Sequence, residues 1–374
     1  MAKPFIIITG ATGFLGGRLV RQLRKEYRII ALGRRTPQEA GVPEGAGIHW
    51  FRVDIGNFDR LREVFVRIKE MGQSDLLLHL AAYYDFTGDD HPEYERTNIT
   101  GTRHVLTLAE DLKLRRFIFA SSGAACPFPK PGECVSETTP PTADIPYARS
   151  KRKGEEMLRE FKDRVPSCIV RAAAIFSSWC QYEPLDEFIT TWCSHRWNAR
   201  IIGGAGDWAI PYLHVQDLAS FFVRLVERCD DLESAEILMA CPDGATTQLD
   251  LFNEVTREFF GFTRRTVHIP KPMAVIGITM REILGGITGI MPFERAWMAQ
   301  YIDRKLMIDA SRTRRLIDWA PHQNLSLLDT IPSMIYNFKN HPEEWRLHSR
   351  RKKARGPRKP ALLTMSRSEG RGGL

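Results

Sequence analysis

The chain contains no long uninterrupted apolar run. No uncharged stretch approaches the roughly 20 residues that a bilayer-spanning helix needs. Its opening residues pass at once into Phe5-Ile6-Ile7-Ile8, without a basic leader, an extended apolar segment or a small-residue cleavage site, so no secretory signal is expected. Cysteine is sparse. The seven cysteines, at 126, 134, 168, 180, 193, 229 and 241, give neither a disulfide framework nor metal-ligand spacing, and reduced thiols in a cytoplasmic protein are the simple reading. Acidic residues are nearly missing from the carboxyl end. Residues 346–374 hold ten Lys/Arg and one acid, Glu369, which leaves residues 1–345 at a net charge of −1 within a total of +8. A nucleic-acid-binding body should carry clustered positive charge itself. This body is near neutral, which argues against nucleic acid as a partner. The basic segment from 346 is expected to be disordered.

What is present is an alternation of strand and helix patterns. Apolar runs bounded by turns at residues 4–8, 28–32, 48–53, 75–80, 117–121 and 167–171 read as strands. Helical spacing occupies 14–25, 61–71, 98–112 and 147–164 between them. This order predicts an α/β fold, a doubly wound parallel sheet with right-handed crossovers. After about residue 172 the pattern loosens. Helices are expected at 213–226 and 249–260, and an apolar segment at 270–292. The expected division is a dinucleotide-binding domain over 1–175 and 205–240. A smaller, partly discontinuous substrate lobe takes 176–204 and 241–345.

Thr9-Gly-Ala-Thr-Gly-Phe-Leu-Gly16 follows the first strand and opens the first helix. Gly10 and Gly13 allow a tight turn and close approach of backbone to a pyrophosphate, and Gly16 lets helix and strand pack closely. The helix N-terminus then presents free N–H groups and positive dipole to the phosphates. Thr12, Phe14 and Leu15 belong to the same cofactor-binding turn. The second strand ends Leu32-Gly33-Arg34-Arg35, with no carboxylate for a ribose 2′-hydroxyl. Arg34 suits a 2′-phosphate, so NADP is favoured over NAD. Asp54, followed by Ile55 after the third strand, is a candidate for the adenine.

Tyr147-Ala-Arg-Ser-Lys151 places a phenol and an ammonium on one helix face. Bringing a tyrosine from about pH 10 to neutrality requires about 4 kcal/mol. One cation at about 4 Å in an effective dielectric of about 20 supplies roughly that. An identical spacing, Tyr301 to Lys305, lacks an upstream strand ending in serine and serves as a control. Tyr147 lies 25 residues beyond Ser122, at the carboxyl end of the fifth strand, the edge where open α/β sheets bind ligands.

Together with His79-Leu-Ala-Ala82, Asn98, Gly101-Thr102 and Leu213-His-Val-Gln-Asp-Leu-Ala219, these motifs make the sequence resemble the extended short-chain dehydrogenase/reductase family, also called the NAD-dependent epimerase/dehydratase family, across about residues 5–220. The resemblance implies that Tyr147 exchanges the substrate proton and that Lys151 lowers its pKa and holds the nicotinamide ribose. It further implies that Ser122 orients the substrate oxygen, that Leu80, Ala81 and Ala82 line the cofactor, and that the enzyme is a homodimer. Two departures narrow the chemistry. Gly123-Ala124 replace the dehydratases' Asp-Glu, and Ala172-Ala173-Ala174 follow Arg171 where many sugar-nucleotide epimerases carry an Asn.

The expected activity is therefore NAD(P)-dependent interconversion of a secondary alcohol and a ketone on an apolar, sterol-like or acyl-like substrate. The alternative enzyme reading is a nucleotide-sugar epimerase, and a further one a non-catalytic nucleotide-binding scaffold or RNA binder. Residues 270–292 or the basic tail offer peripheral membrane contact. His79 is expected to pack rather than ligate, His214 to support helix placement, and Cys180 and Cys193 to be core thiols.

Overall fold

The computed structural model describes residues 3–289 and 291–353. Seven parallel strands form the central sheet. In chain order they begin β1 (Phe5–Thr9), β2 (Arg28–Gly33), β3 (Ile48–Arg52), β4 (Ser74–His79), β5 (Arg116–Ser122) and β6 (Ser167–Ala172), followed by an edge strand, Glu236–Ala240. Across the sheet the order is β3-β2-β1-β4-β5-β6 and then Glu236–Ala240. The direction of winding reverses between β1 and β4, which opens a crevice at their carboxyl ends.

The apolar runs belong to a sheet covered on both sides. In β1, Ile6 and Ile8 enter one hydrophobic core and Phe5 and Ile7 the other. The same alternation divides Ile29 and Ala31 from Ile30 and Leu32 in β2. Substituting a charge anywhere in β1 would therefore bury it in one core or the other.

Most expected elements stand within a few residues of their places. Three differ. The helix expected at 98–112 opens with a wider, π-helical segment, Tyr94–Thr100, before Gly101–Ala109. The region expected to be helical from 213 begins with a short strand, Tyr212–His214, paired to Ala174–Phe176, and the helix Val215–Arg228 starts after it. There His214 Nδ1 accepts the N–H of Gln216 at 3.3 Å, capping the helix. The basic segment does not become structureless at 346, because 346–353 continue the helix Pro342–Lys353. Trp345 anchors it, buried, with its indole N–H donating to Asp186 at 2.8 Å. Residues 354–374 lie outside the described residues. No helix among the described residues is long and apolar enough to cross a membrane.

Candidate active site

The carboxyl ends of β1, β4 and β5 open into one cleft of about 2600 Å³. Thr12, Gly13, Phe14 and Leu15 line it on one side, Leu80 and Ala82 in the middle, and Ser122 and Tyr147 beyond.

The glycine turn is shaped by close approach. Gly10 has φ +69°, and a Cβ there would lie 2.8 Å from the Ala81 nitrogen. A Cβ on Gly16 would lie 2.3 Å from the Gly10 carbonyl oxygen, so only glycine lets the helix Gly16–Leu23 start this close to β1. Gly13 donates to Gly10 at 2.8 Å and closes the turn. Among the described residues, the N–H groups of Phe14, Leu15 and Gly16 have no protein acceptor. Three successive free donors at a helix start suit a pyrophosphate.

Thr9 and His79 fix the middle of the cleft. The Thr9 hydroxyl accepts the N–H groups of Leu80 and Ala81, each at 3.2 Å, and meets His79 Nδ1 at 2.9 Å. His79 Nε2 reaches the Thr102 hydroxyl at 3.0 Å, and that hydroxyl donates to the Asn98 carbonyl at 2.6 Å. The Thr102 proton is thereby committed, so His79 donates from Nε2 and accepts at Nδ1. Burial, aided by the Lys151 charge, pushes His79 down to about 3. It is a neutral connector, and no group of three or more metal-ligating side chains occurs among the described residues.

Pro146–Glu160 carries the tyrosine and lysine, with Pro146 in the first turn where no backbone donor is lost. Asn98 ties this helix to the loop after β4. It accepts the Tyr83 N–H at 2.7 Å, and its amide donates to the Tyr83 carbonyl and to the Ser150 hydroxyl, each at 2.9 Å. Ser150 then donates to the Tyr147 carbonyl at 2.7 Å. Below the site, Glu155 and Arg171 form a fully buried pair at 2.8 and 3.0 Å, and the Ser121 hydroxyl donates to Glu155 at 2.7 Å.

Burial pushes the Tyr147 phenol up to about 12, and the opposing influence of the nearby Ser122 hydroxyl does not offset it. The Lys151 ammonium sits 5.8 Å from the Tyr147 ring centroid and donates to the Ala120 carbonyl at 2.7 Å. Burial pushes it down to about 8, against the opposing pull of Glu155. Beside Lys151 alone, the phenol stays above its ordinary value. Both groups are desolvated together, and the phenol holds its proton firmly.

Other expected positions scatter. Gly10, Gly16 and Ala81 lie behind the lining, and Lys151 reaches inward from its helix. Asp54 already accepts the Gly56 N–H at 2.9 Å and Arg96 at 3.0 Å, and Ile55 is buried beside it. Arg34 turns to Glu93 at 3.5 Å, whereas Arg35 lines the cleft and donates to the Thr12 carbonyl. Successive residues leaving a strand point opposite ways, and that alternation was the available signal for Arg35. Tyr301 and Lys305 do not share a helix. Tyr301 ends a short helix, while Lys305 pairs with Asp207 at 2.9 Å.

An aromatic wall beside Tyr147 had no motif to announce it. Tyr84 packs edge-on to Tyr147 with ring centroids 4.4 Å apart, Phe86 contacts Tyr84 at 4.6 Å, and Tyr182 contacts Phe86 at 5.2 Å.

A phosphate-binding glycine turn at the switch point of a parallel sheet, with serine, tyrosine and lysine at the neighbouring strand end, defines the class of nicotinamide-dependent oxidoreductases. Residues 6–241 match the model of the NAD-dependent epimerase/dehydratase family, and the chain belongs to that family. The putative dihydroflavonol 4-reductase of Synechocystis is 30% identical over 139 residues, 37% of this chain and 38% of that one. The UDP-glucose 4-epimerase of Drosophila melanogaster is 27% identical over 176 residues, 43% of this chain and 49% of that one. The chain spans about half the length of the curated relatives it matches. The UDP-glucose 4-epimerase of Thermotoga maritima, solved with UDP-glucose, superposes with a TM-score of 0.67 at 19% identity, covering 91% of this chain and all of that one, which is a likeness of fold.

Proposed function

We propose that the chain catalyses reversible hydride transfer at a secondary carbinol carbon of a nucleotide sugar, as a 4-epimerase-type enzyme with Ser122, Tyr147 and Lys151 at its centre. The observation that carries the chemistry is the placement of Ser122 and Tyr147, two hydroxyls lining one cleft whose other half holds the glycine turn. Relatives and structural neighbours that are UDP-sugar epimerases support the substrate class, which reverses the order expected from sequence. The cleft also exceeds the roughly 300–1,000 Å³ of a single small-ligand pocket, leaving space for a second large ligand beside the dinucleotide.

The nicotinamide, when bound, supplies the hydride acceptor and a positive charge. Ser122 and Tyr147 hold the substrate oxygen. With its proton tightly held, Tyr147 donates to a ketone oxygen; taking a proton from an alcohol requires the added positive charge to lower the phenol from about 12. Lys151, fixed on the Ala120 carbonyl, is the group that holds the ribose and contributes positive charge when protonated. Pyrophosphate binding falls to the turn at Gly10, Thr12, Gly13, Phe14, Leu15 and Gly16, and Leu80, Ala81 and Ala82 flank the ring. Arg34, with Arg35 beside it, favours NADP over NAD in this reading, and Asp54 and Ile55 support the adenine end. The smaller lobe over 176–204 and 241–345 supplies the substrate side. A homodimer and a cytoplasmic location belong to the same proposal.

The aromatic wall of Tyr84, Phe86 and Tyr182 and the run Ala172-Ala173-Ala174 favour a second reading, an apolar alcohol or ketone. Proton NMR of UDP-glucose and UDP-glucuronate incubated with enzyme and either dinucleotide, beside a panel of apolar ketones followed by reduced-nicotinamide absorbance, separates the two. Inversion at the sugar without net cofactor change supports the first. Ketone-dependent oxidation of the cofactor with no inversion overturns it in favour of the second.

A further inference from the structure

Helix Lys271–Thr288 is inverted relative to an ordinary surface helix, whose apolar stripe faces the core. Its large apolar side chains Met273, Ile276, Met280, Ile283, Leu284 and Ile287 are between 55% and 77% exposed. At about 3.6 residues per turn they fall within one stripe about 100° wide. The buried positions Ala274 and Gly285 mark the opposite face. The two charges inside the helix are turned away from the stripe and tied down. Arg281 pairs with Glu294 at 3.1 Å, while Glu282 pairs with Arg295 at 2.7 Å and accepts the Ala296 N–H at 2.6 Å. Nothing charged interrupts the stripe.

Next to the start of this helix, charge of one sign collects. The strands Ile201–Gly203 and Val267–Ile269 pair in parallel, and Ala274 packs on Gly203. The segments leading into those strands therefore lie side by side. They carry Arg196, Arg200, Arg264 and Arg265, and Lys271 opens the helix. No acidic residue occurs between 188 and 206 or between 261 and 281. The hydrogen bonds of these cations run to neutral carbonyls: Arg200 to Arg265 at 2.6 Å, Arg264 to Trp192 at 2.9 Å, Lys271 to Ile302 at 3.2 Å. Among them stand Trp197 at 79% exposure and Phe262 at 62%.

We propose that this face is a docking surface for an anionic lipid bilayer, with the stripe at the headgroup–acyl boundary and the cations on lipid phosphates. An apolar stripe beside a cationic, aromatic-bearing rim is the pattern of a helix lying in the plane of a membrane. Clustered Lys/Arg add attraction to an anionic leaflet. The segments that carry the cations hold no acidic residue between 188 and 206 or between 261 and 281, so a second copy seated on the face offers the cations no carboxylate from them, whereas lipid phosphates neutralise them. The helix also carries one wall of the cleft through Ala274, Gly277 and Ile278, so docking sets the cleft beside the bilayer. The inference holds for either substrate class.

The test is vesicle flotation of the full chain, with phosphatidylcholine alone and with an equal mixture of phosphatidylcholine and phosphatidylglycerol, beside light scattering for mass. The unsubstituted chain is expected to float with the mixed vesicles and not with phosphatidylcholine alone. Ile283→Glu with Ile287→Glu should reduce flotation at least tenfold, and Arg265→Glu should reduce it and flatten its salt dependence. Neither isoleucine lines the cleft, so the far-ultraviolet circular dichroism and dinucleotide affinity should not change. Should the double variant misfold, Ile287→Ser at the most exposed position repeats the test with a smaller expected loss. Absence of flotation with the mixed vesicles overturns the proposal. So does flotation that survives the stripe substitutions, which assigns binding to the basic tail. A loss of dimer mass in the stripe variants without change in flotation also overturns it, assigning the face to a second copy.

Discussion

Glu155→Ala isolates the buried charge pair beneath the site. Glu155 and Arg171 are both fully inaccessible, and the carboxylate accepts Arg171 twice and the Ser121 hydroxyl once. Removing the carboxylate leaves the Arg171 guanidinium hydrogen-bonded only to the Thr139 carbonyl at 2.8 Å and the Cys126 sulfur at 3.3 Å, with Glu137 a more distant negative charge. Breaking such a pair from one side costs about 3–5 kcal/mol. Equilibrium denaturation in urea, monitored by tryptophan fluorescence, should show the unfolding free energy fall by that amount, seen as a lower midpoint with little change in slope. Replacing both partners, Glu155→Leu with Arg171→Met, should recover most of the loss, because the cost lies in the stranded charge. Glu155→Gln should also move the Lys151 titration below about 8, since the carboxylate is the group that raises it. An alanine variant that costs less than about 1 kcal/mol, or a double variant no better than the single, would refute the reasoning.

Two further outcomes are specific. Gly16→Ala should weaken dinucleotide binding at least tenfold and cost about 1–3 kcal/mol, because its Cβ meets backbone at the Gly10 carbonyl; calorimetric titration and denaturation measure the two effects. His79, with its folded pKa pushed down to about 3 from an ordinary value near 6.5, contributes stability that is present above pH 6.5 and lost as pH falls toward 3. A His79→Gln variant should show a shallower fall in denaturation midpoint over that window, and an equal slope would contradict the assignment of His79 as a neutral connector.

The strands and the glycine turn were legible because local physics specifies them. Apolar runs such as 5–8 and 28–32 need cover on both faces, and Gly10 and Gly16 stand where a Cβ meets backbone. The edge strand Glu236–Ala240 has an apolar run of its own, Ile237-Leu238-Met239-Ala240, but it lies beyond the regular strand–helix alternation and takes its place through pairing with β6, which no local pattern encodes. The same holds for the aromatic wall, where Tyr84 meets Tyr147 and Phe86 meets Tyr182 across long stretches of sequence and only through the fold. Electrostatics was the least legible layer. The spacing of Tyr147 and Lys151 reads as a cation beside a phenol, yet their shared burial moves each away from its charged form. Arg34 and Arg35 are alike in sequence, and only the geometry at the end of β2 sends one to Glu93 and the other into the cleft.

The central claim is tested most directly by single-turnover reduction of bound NAD(P) by substrate in Tyr147→Phe and Tyr301→Phe. General acid–base catalysis by Tyr147 predicts that the first substitution slows reduction about 100- to 10,000-fold with dinucleotide affinity intact, while the second leaves the rate within a few-fold. Equal rates in the two variants, or full turnover with phenylalanine at 147, would contradict the account.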